Sequence, residues 1–300
     1  MYDVIIIGAG CAGLTAGIYA ARAEKKVLIL ESESFGGQIA SSPLVENYPG
    51  IKSISGNELV NDILEQALDL GVQVELEAVT ELKDQGKTKI VVTEFNEYKA
   101  KTVIIATGLK HRSLNVEKEE QLTGHGISYC AVCDGAFFKD KVVAVVGGGN
   151  SALQNALSLT QYCSKVYLIH KRDSFKAEQK LIQKVMAKKE IEIIYDHQVT
   201  ELLGESELTG VKIESVKNKK SKLLEVAALF VAVGRSPNNQ VFADLLDLDQ
   251  VGYIMADENC GTKIEGVFAA GDCRAKKVNQ MTTAMADGTV AALRAVARCG

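Results

Sequence analysis

The chain has 300 residues, about twice the length of a typical domain, so two domains are expected. Hydrophobic residues make up 47% of the sequence and charged residues 24%, as in a globular protein with sizeable cores. A net charge of −4 argues against a nucleic-acid-binding surface, and no apolar stretch reaches the roughly 20 residues that span a bilayer. Without a signal-peptide pattern near Met1, a cytoplasmic location with mostly reduced cysteines is expected.

The first predicted unit is a strand, a glycine turn, a helix and a second strand. Val4–Ile7 is a β-branched run typical of a buried parallel strand. The turn that follows contains Gly8, Gly10 and Gly13. Glycines at this spacing allow a tight turn and a close approach of the backbone to a pyrophosphate. The second strand, Val27–Leu30, ends at Glu31, where an acid can bind a ribose hydroxyl. This unit therefore predicts a dinucleotide site.

A further strand, Val103–Ala106, leads into a turn at Thr107 and Gly108. The short polar segment 109–116 that follows is predicted to be the first crossing between the two domains.

Two cysteines three residues apart, Cys130 and Cys133, precede Asp134. A zinc site needs about four ligands, and no second CxxC or HxxxH pair accompanies the two cysteines. His125 is near in sequence, but one histidine would leave the coordination shell of the metal incomplete. Inert buried thiols are the other structural alternative. A redox dithiol is favoured because Asp134 can exchange the proton and a helix start stabilises a thiolate. The other cysteines are expected to be packing residues.

The glycine pattern returns after the cysteines, between the strands Val142–Val146 and Val166–Ile169. This second turn contains Gly147, Gly149, Asn150, Ser151 and Ala152. Its second strand ends in cations instead of an acid, namely His170, Lys171, Arg172 and Lys176. Cations at this position can hold the 2′-phosphate that distinguishes NADPH from NADH. The two units therefore predict two different nucleotides, the second of them NADPH.

Two more strands end in glycine turns, Leu229–Val233 at Gly234 and Arg235, and Val267–Ala270 at Gly271 and Asp272. A helix is predicted from about Gln280 to Ala297, and a second crossing at 237–246. The prediction is an α/β fold with two Rossmann-like domains, the second inserted into the first. The predicted boundaries are 1–112 and 244–300 for the outer domain and 113–243 for the inserted one.

In these motifs the chain resembles the low-molecular-weight thioredoxin reductases of bacteria and archaea from end to end. Beyond the residues already named, the resemblance rests on Gly36-Gly37-Gln38, Glu46-Asn47-Tyr-Pro-Gly50 and Gln280. It implies that the outer domain binds FAD, with Gly8, Gly10 and Gly13 on the pyrophosphate and Glu31 on the adenosine ribose. Gln38, Asn47, Asp272 and Gln280 would lie along the flavin, ribitol and phosphate.

The resemblance also implies a role for each redox residue. Cys133 would face the flavin, Cys130 would attack thioredoxin, and Asp134 would be the acid–base residue. Members of this family are homodimers, and a rotation between the domains gives NADPH and the dithiol access to the flavin in turn.

Some positions depart from the family pattern, in which arginine is usual at 171, 176 and 279. Lys171 and Lys176 keep the charge but lose the bidentate fork of arginine, and Asn279 removes a charge. NADH or ferredoxin as the donor in place of NADPH, and a flavin-dependent dithiol oxidase that passes electrons to oxygen, therefore stay open. A ferredoxin- or flavodoxin–NADP reductase, which needs no CxxC, and a non-enzymatic redox sensor are the remaining alternatives.

Overall fold

The β-branched runs form the central strands of two sheets, one mixed and one parallel. The computed structural model describes residues 1–40, 42 and 44–300. The first part of the chain contains β1 (Tyr2–Ile7), α1 (Cys11–Arg22), β2 (Val27–Glu31), α2 (Gly56–Asp69), β3 (Gln73–Leu76), β4 (Val79–Gln85), β5 (Thr88–Thr93) and β6 (Glu97–Ile105).

The middle of the chain begins at β7 (Lys110–His111) and ends at β16 (Arg235–Ser236). Between them lie α3 (Glu119–Leu122), β8 (Ile127–Ser128), α4 (Ala131–Asp134), β9 (Val142–Gly147), α5 (Asn150–Leu159), β10 (Lys165–Ile169), α6 (Gln179–Met186), β11 (Ile191–Ile194), β12 (His197–Leu203), β13 (Gly210–Ser215), β14 (Ser221–Glu225) and β15 (Ala228–Ala232). The last part contains β17 (Val267–Ala269) and α7 (Met281–Cys299).

Contacts divide the chain into two units, one made of Met1–Lys110 with Ser236–Gly300 and the other of His111–Arg235. The sequence placed the boundaries after residues 112 and 243. The two connecting strands, β7 and β16, pair with each other in a small sheet of their own. The assignment of one nucleotide to each domain stays a prediction at this point.

The outer unit is built on a sheet in the order β3-β2-β1-β6, with β17 and the antiparallel pair β5-β4 also joined to β6. Val4, Ile5 and Ile6 are fully buried at its centre, as expected for a strand covered on both faces. Helix α1 packs against α7 at close range. A Cβ on Gly288 would lie 2.2 Å from the carbonyl oxygen of Ala12, so only glycine allows this approach.

The inserted unit is built on a parallel sheet in the order β11-β10-β9-β15-β8 and carries a separate antiparallel sheet, β12-β13-β14. Its two buried clusters draw only on residues between 114 and 232. The fold class predicted from the sequence is thus confirmed. Within the described part of the chain, no helix has both the length and the apolar character needed to cross a membrane.

Candidate functional site

The first glycine turn is shaped by close backbone contacts. A Cβ on Gly8, whose φ is +108°, would lie 2.4 Å from the carbonyl oxygen of Ala106, and one on Gly13 would lie 1.9 Å from that of Gly8. A Cβ on Gly10 would meet no atom within 4 Å. Gly8 and Gly13 are therefore required by the fold, whereas Gly10 lines an open concave surface.

Helix α1 begins at this surface without a side-chain cap. Its first N–H groups, from Cys11 onward, therefore remain available to an anion. Gly36 closes the other side by donating its N–H to the Ala9 carbonyl oxygen at 2.8 Å. Free backbone donors on an open glycine surface are what a pyrophosphate requires, so these residues fit a dinucleotide.

Glu31 lies at the end of β2, next to the same turn. Its carboxylate accepts hydrogen bonds from the N–H groups of Ala9 at 2.8 Å, Ser32 at 2.8 Å and Glu33 at 3.0 Å. These bonds fix the carboxylate beside the glycine surface, where the ribose of a bound dinucleotide would lie.

The other outer-unit residues predicted to bind a cofactor are Gly37, Gln38, Asn47, Thr107, Gly108, Gly271, Asp272 and Gln280. Several gather around the glycine turn. A Cβ on Gly37 would lie 3.3 Å from Cα of Gly10, and one on Gly271 would lie 2.9 Å from Cβ of Ala12. Gln38 donates to the Leu109 carbonyl oxygen at 2.9 Å, directly after the Thr107-Gly108 turn.

Asn47 and Gln280 are placed differently. Asn47 is exposed in the loop before α2 and makes no hydrogen bond to any residue that the structure describes. Gln280 forms a capping box with Thr283, so its side chain caps the start of α7 in the protein without a bound cofactor.

Sequence reasoning missed two groups of this unit. The Asn239 amide is buried and joins three segments, bonding to Thr107 Oγ1 at 3.0 Å and to the carbonyl oxygens of Gly252 and Cys273 at 2.9 Å. Lys276 pairs with Asp272 at 3.3 Å and with Asp287 at 3.1 Å. The Asn239 bonds join distant parts of the chain, which no local spacing reveals. The Lys276 pairs lie within one stretch of sequence, where the i,i+4 spacing of Asp272 and Lys276 was the available signal.

The second glycine turn repeats the geometry of the first in the inserted unit. A Cβ on Gly147 would lie 2.2 Å from the carbonyl oxygen of Ala232, so this glycine packs strand on strand. Gly149 precedes α5, which has no side-chain cap, and Ala152 is fully buried under the turn. Ser151 is exposed in the first turn of α5, and Asn150 accepts the Glu178 N–H at 2.8 Å. The free N–H groups here also fit a pyrophosphate.

His170 covers this turn. A Cβ on Gly148 would lie 2.1 Å from the imidazole, and the ring stacks on Phe175 with centroids 5.5 Å apart. Burial, with a smaller contribution from Arg172 and Lys171, lowers the pKa of His170, so its ring is mainly neutral near pH 7.

Around this turn lie the other three of the four residues predicted to hold a 2′-phosphate, namely Lys171, Arg172 and Lys176. Lys176 donates its backbone N–H to the Gly148 carbonyl oxygen at 2.8 Å, which brings the segment 171–176 against the glycines. Lys171, Arg172 and Lys176 are exposed, and among the described residues none of them forms an ion pair. Gly234 lies between β15 and β16, and Arg235 is the first residue of β16. Lys171, Arg172 and Lys176 therefore remain available to an anionic group.

Cys130 and Cys133 form a disulfide across the start of the short helix α4, with their Cα atoms 5.3 Å apart. The Cys133 N–H donates to Sγ of Cys130 at 3.2 Å, an arrangement that stabilises negative charge on that sulfur. Cys130 is half-buried and Cys133 is exposed. Asp134 is the last residue of α4 and lies within the same hydrogen-bonded loop as the cysteines.

The remaining cysteines are not placed for such chemistry. Cys11, Cys163, Cys260 and Cys273 are buried free thiols, and desolvation raises the pKa of each to about 11. They are therefore poor nucleophiles, which confirms the expectation that they are packing residues. Among the described residues, no group of three histidine, cysteine or acidic side chains is arranged to hold a metal.

Comparison with known proteins agrees with this arrangement. A family model described as pyridine nucleotide-disulphide oxidoreductase matches residues 2–288. The 34.2 kDa protein in the rubredoxin operon of Clostridium pasteurianum is 43% identical over 98% of this chain and 96% of its own. Thioredoxin reductase from Listeria innocua is 41% identical over 97% of this chain and 92% of its own length.

Solved structures point the same way. The crystal structure of Lactococcus lactis thioredoxin reductase matches with a TM-score of 0.94 and 39% identity, covering 100% of this chain and 99% of that one. The resemblance noted in the sequence is therefore confirmed. The chain belongs to the pyridine nucleotide-disulphide oxidoreductase family, and its similar proteins from Listeria innocua and Lactococcus lactis are thioredoxin reductases.

Proposed function

We propose that this protein is a thioredoxin reductase that uses FAD to transfer electrons from NADPH to the disulfide of thioredoxin. The observation that carries this proposal is the Cys130–Cys133 disulfide at the start of α4, in the unit that also contains the second glycine turn. In total the reaction consumes one NADPH, one proton and one thioredoxin disulfide, and it yields NADP+ and a dithiol.

The outer unit holds FAD in this proposal. The N–H groups at the start of α1 bind the pyrophosphate above Gly10, and Glu31 binds the adenosine ribose. Gln38, Asn47, Asp272 and Gln280 are assigned to the flavin, ribitol and phosphate. When bound, the flavin supplies two-electron transfer between a nicotinamide and a disulfide.

The inserted unit holds NADPH. The start of α5 binds the pyrophosphate, and the exposed cations Lys171, Arg172 and Lys176 bind the 2′-phosphate. The neutral ring of His170 adds no charge but fills the space above Gly148, which holds the segment 171–176 against the glycine turn.

The reduced cysteines then act on thioredoxin by thiol–disulfide exchange. The Cys130 thiolate attacks one sulfur of the thioredoxin disulfide, which breaks that bond and forms a mixed disulfide. Cys133 attacks Sγ of Cys130 next, so that the Cys130–Cys133 disulfide forms again and the thioredoxin dithiol is released. Asp134 exchanges the protons that the sulfur atoms gain and lose. The N–H of Cys133 stabilises the charge on Sγ of Cys130.

Anaerobic titration of the purified protein tests this function. NADPH is expected to bleach the flavin absorbance, and addition of oxidised thioredoxin is expected to restore it while free thiols appear. Absence of bleaching by NADPH would reject the assignment of the donor, and bleaching without thiol formation would reject the assignment of the acceptor.

Cysteine variants separate the dithiol from the rest of the site. Cys130→Ser and Cys133→Ser are expected to lose thioredoxin reduction while NADPH still reduces ferricyanide through the flavin. Cys163→Ala, which removes a buried thiol of the same unit, serves as the matched control and should keep both activities. If Cys130→Ser still reduces thioredoxin, the dithiol is not the donor.

A second candidate is the same reaction with another electron donor. It is favoured by Lys171 and Lys176, which offer no bidentate fork to a 2′-phosphate, and by the uncharged Asn279. Adding NADH or reduced ferredoxin in the same titration distinguishes the two, because this candidate predicts faster bleaching by one of them than by NADPH.

The assembly and location are part of the same proposal. The protein is expected to be a cytoplasmic homodimer. Light scattering of the purified protein should therefore report twice the mass of one chain, and fractionation of cells should recover the protein with the cytoplasm.

A further inference from the structure

A buried serine connects the two residues that the proposed function places at the centre of thiol exchange. Ser128 lies on β8, where it pairs with Phe230 of β15, and only 6% of its surface is exposed. Its hydroxyl donates to Oδ2 of Asp134 at 2.6 Å and accepts the N–H of Cys130 at 3.0 Å.

The hydroxyl has a second acceptor within reach. The carbonyl oxygen of Cys130 lies 3.3 Å from Ser128 Oγ, so the single hydroxyl hydrogen can point to that carbonyl or to Asp134. When Asp134 is ionised, the hydrogen points to the carboxylate. When Asp134 is protonated on Oδ1, the serine hydrogen stays on Oδ2. When the proton lies on Oδ2, that O–H donates to Ser128 and the serine hydrogen turns to the carbonyl. Both protonation states of Asp134 are therefore hydrogen-bonded in one side-chain position.

The other carboxylate oxygen is left for proton exchange. Among the described residues, Oδ1 of Asp134 has no hydrogen-bond partner, while Oδ2 is held by Ser128. Because Ser128 is fixed in the parallel sheet and Asp134 ends a four-residue helix, the serine is the rigid member of the pair. Without it, the carboxylate would be free to rotate among staggered side-chain positions.

We infer that Ser128 is a positioning residue for proton transfer in the thiol exchange, acting through Asp134. This inference rests on the proposed function, because it needs Asp134 to exchange protons with the cysteine sulfurs. It assigns no chemical step to Ser128 itself, whose hydroxyl holds the carboxylate in both of its protonation states.

A double-mutant cycle with a single-turnover reaction tests the inference. The protein is reduced anaerobically and mixed with oxidised thioredoxin, and the rate of mixed-disulfide exchange is followed by stopped flow. Ser128→Ala is expected to lower this rate about tenfold, part of the 10²–10⁴-fold that a general acid–base contributes. In the Asp134→Asn background the same change should lower the rate by less than about twofold, because the group through which serine acts is already gone.

Two controls separate the interpretations. Ser215→Ala removes another buried serine of the same unit, one that only accepts N–H bonds from a turn, and should leave the rate unchanged. NADPH-driven reduction of ferricyanide should be unaffected in Ser128→Ala and Ser215→Ala.

The cycle has two outcomes that overturn the inference. One is an unchanged rate in Ser128→Ala, and the other is an equal loss in both backgrounds, since either means that Ser128 does not act through Asp134. Failure of the wild-type protein to reduce thioredoxin at all would overturn the proposed function and this inference together.

Discussion

At the scale of single residues, the cations after β10 are predicted to decide which nucleotide the inserted unit prefers. Arg172 is the one guanidinium among the three, and a planar fork binds a phosphate with two parallel hydrogen bonds where a lysine acts as a point charge. It is also exposed and free of ion pairs within the described part of the chain, so binding a phosphate costs it no existing partner.

We predict that Arg172→Ala raises KM for NADPH about tenfold or more while KM for NADH and kcat change little, since only NADPH has the 2′-phosphate. The double change Lys171→Arg with Lys176→Arg should lower KM for NADPH severalfold. Steady-state kinetics with both nucleotides measures this. Lys212→Ala, an exposed cation paired with Glu201 on the antiparallel sheet, is the matched control. Equal losses with NADPH and NADH would contradict the assignment.

A second residue-scale effect concerns Tyr129, which precedes Cys130. Its hydroxyl donates to the buried carboxylate of Glu119 at 2.9 Å, and that carboxylate also accepts the N–H groups of Leu114 and Asn115. Burial, followed by the bond to Glu119, raises the pKa of Tyr129 to about 12. The end of the segment 109–116 is thus tied to the residue next to the disulfide.

Because the pKa of Tyr129 is raised in the folded protein, the free energy of unfolding depends on pH in a definite direction. An unfolded tyrosine ionises near pH 10, whereas the folded one stays neutral until about pH 12, so the stability from Tyr129 is complete below pH 10 and is lost as pH rises to about 12. We predict that Tyr129→Phe lowers the free energy of unfolding at pH 9, and that its difference from the wild type shrinks between pH 10 and 12. Urea unfolding at several pH values measures this. The pKa of Tyr98 is also raised to about 12, but Tyr98 is present in both proteins, so its contribution cancels in the difference between them. Parallel curves would exclude this role of Tyr129.

At the scale of elements, the strand–turn–helix units were predictable because each is specified by local residues. The runs of valine and isoleucine at 4–7 and 142–146 lie within β1 and β9, and both turns depend on glycines that no side chain can replace. Ser128, Glu119 and Asn239 were not predictable in the same way. Asn239 bonds to groups that are far away in the sequence. The partners of Ser128 and Glu119 are near in sequence but lie in short irregular segments, and Ser128 has no spacing pattern that distinguishes it from a surface serine.

The two kinds of glycine in the first turn give a prediction at this scale. A methyl group on Gly13 would collide with the backbone of Gly8, whereas a methyl group on Gly10 would enter open space. Gly10→Ala should therefore fold, with a loss in unfolding free energy of about 1 kcal/mol or less from the poorer helix cap. It should still weaken FAD binding by about tenfold or more, because the methyl occupies space needed by the pyrophosphate.

Fluorescence titration of the apoprotein with FAD and a thermal melt of the same sample measure the two effects separately. Gly13→Ala is the contrast, expected to lower the melting temperature strongly even without cofactor. If Gly10→Ala binds FAD as tightly as the wild type, the pyrophosphate does not lie over this glycine.

At the scale of the whole molecule, the inserted unit has the properties of an independent domain. Each buried cluster draws on residues of one unit only, so neither core is shared. The chain enters and leaves through neighbouring strands, with the Arg112 N–H donating to the Gly234 carbonyl oxygen at 3.0 Å. Termini that are close together are typical of domains inserted into others.

We predict that the fragment 111–235, expressed alone, folds with a cooperative thermal transition and binds NADPH but not FAD, because the second glycine turn and the cations 171, 172 and 176 all lie within it. Circular dichroism and calorimetric titration with both cofactors measure this. The same fragment with Arg172→Ala is the matched control and should fold but bind NADPH more weakly. A fragment that unfolds without a cooperative transition would show that its core depends on the outer unit. One that binds FAD would show that the first glycine turn is not what selects the flavin nucleotide.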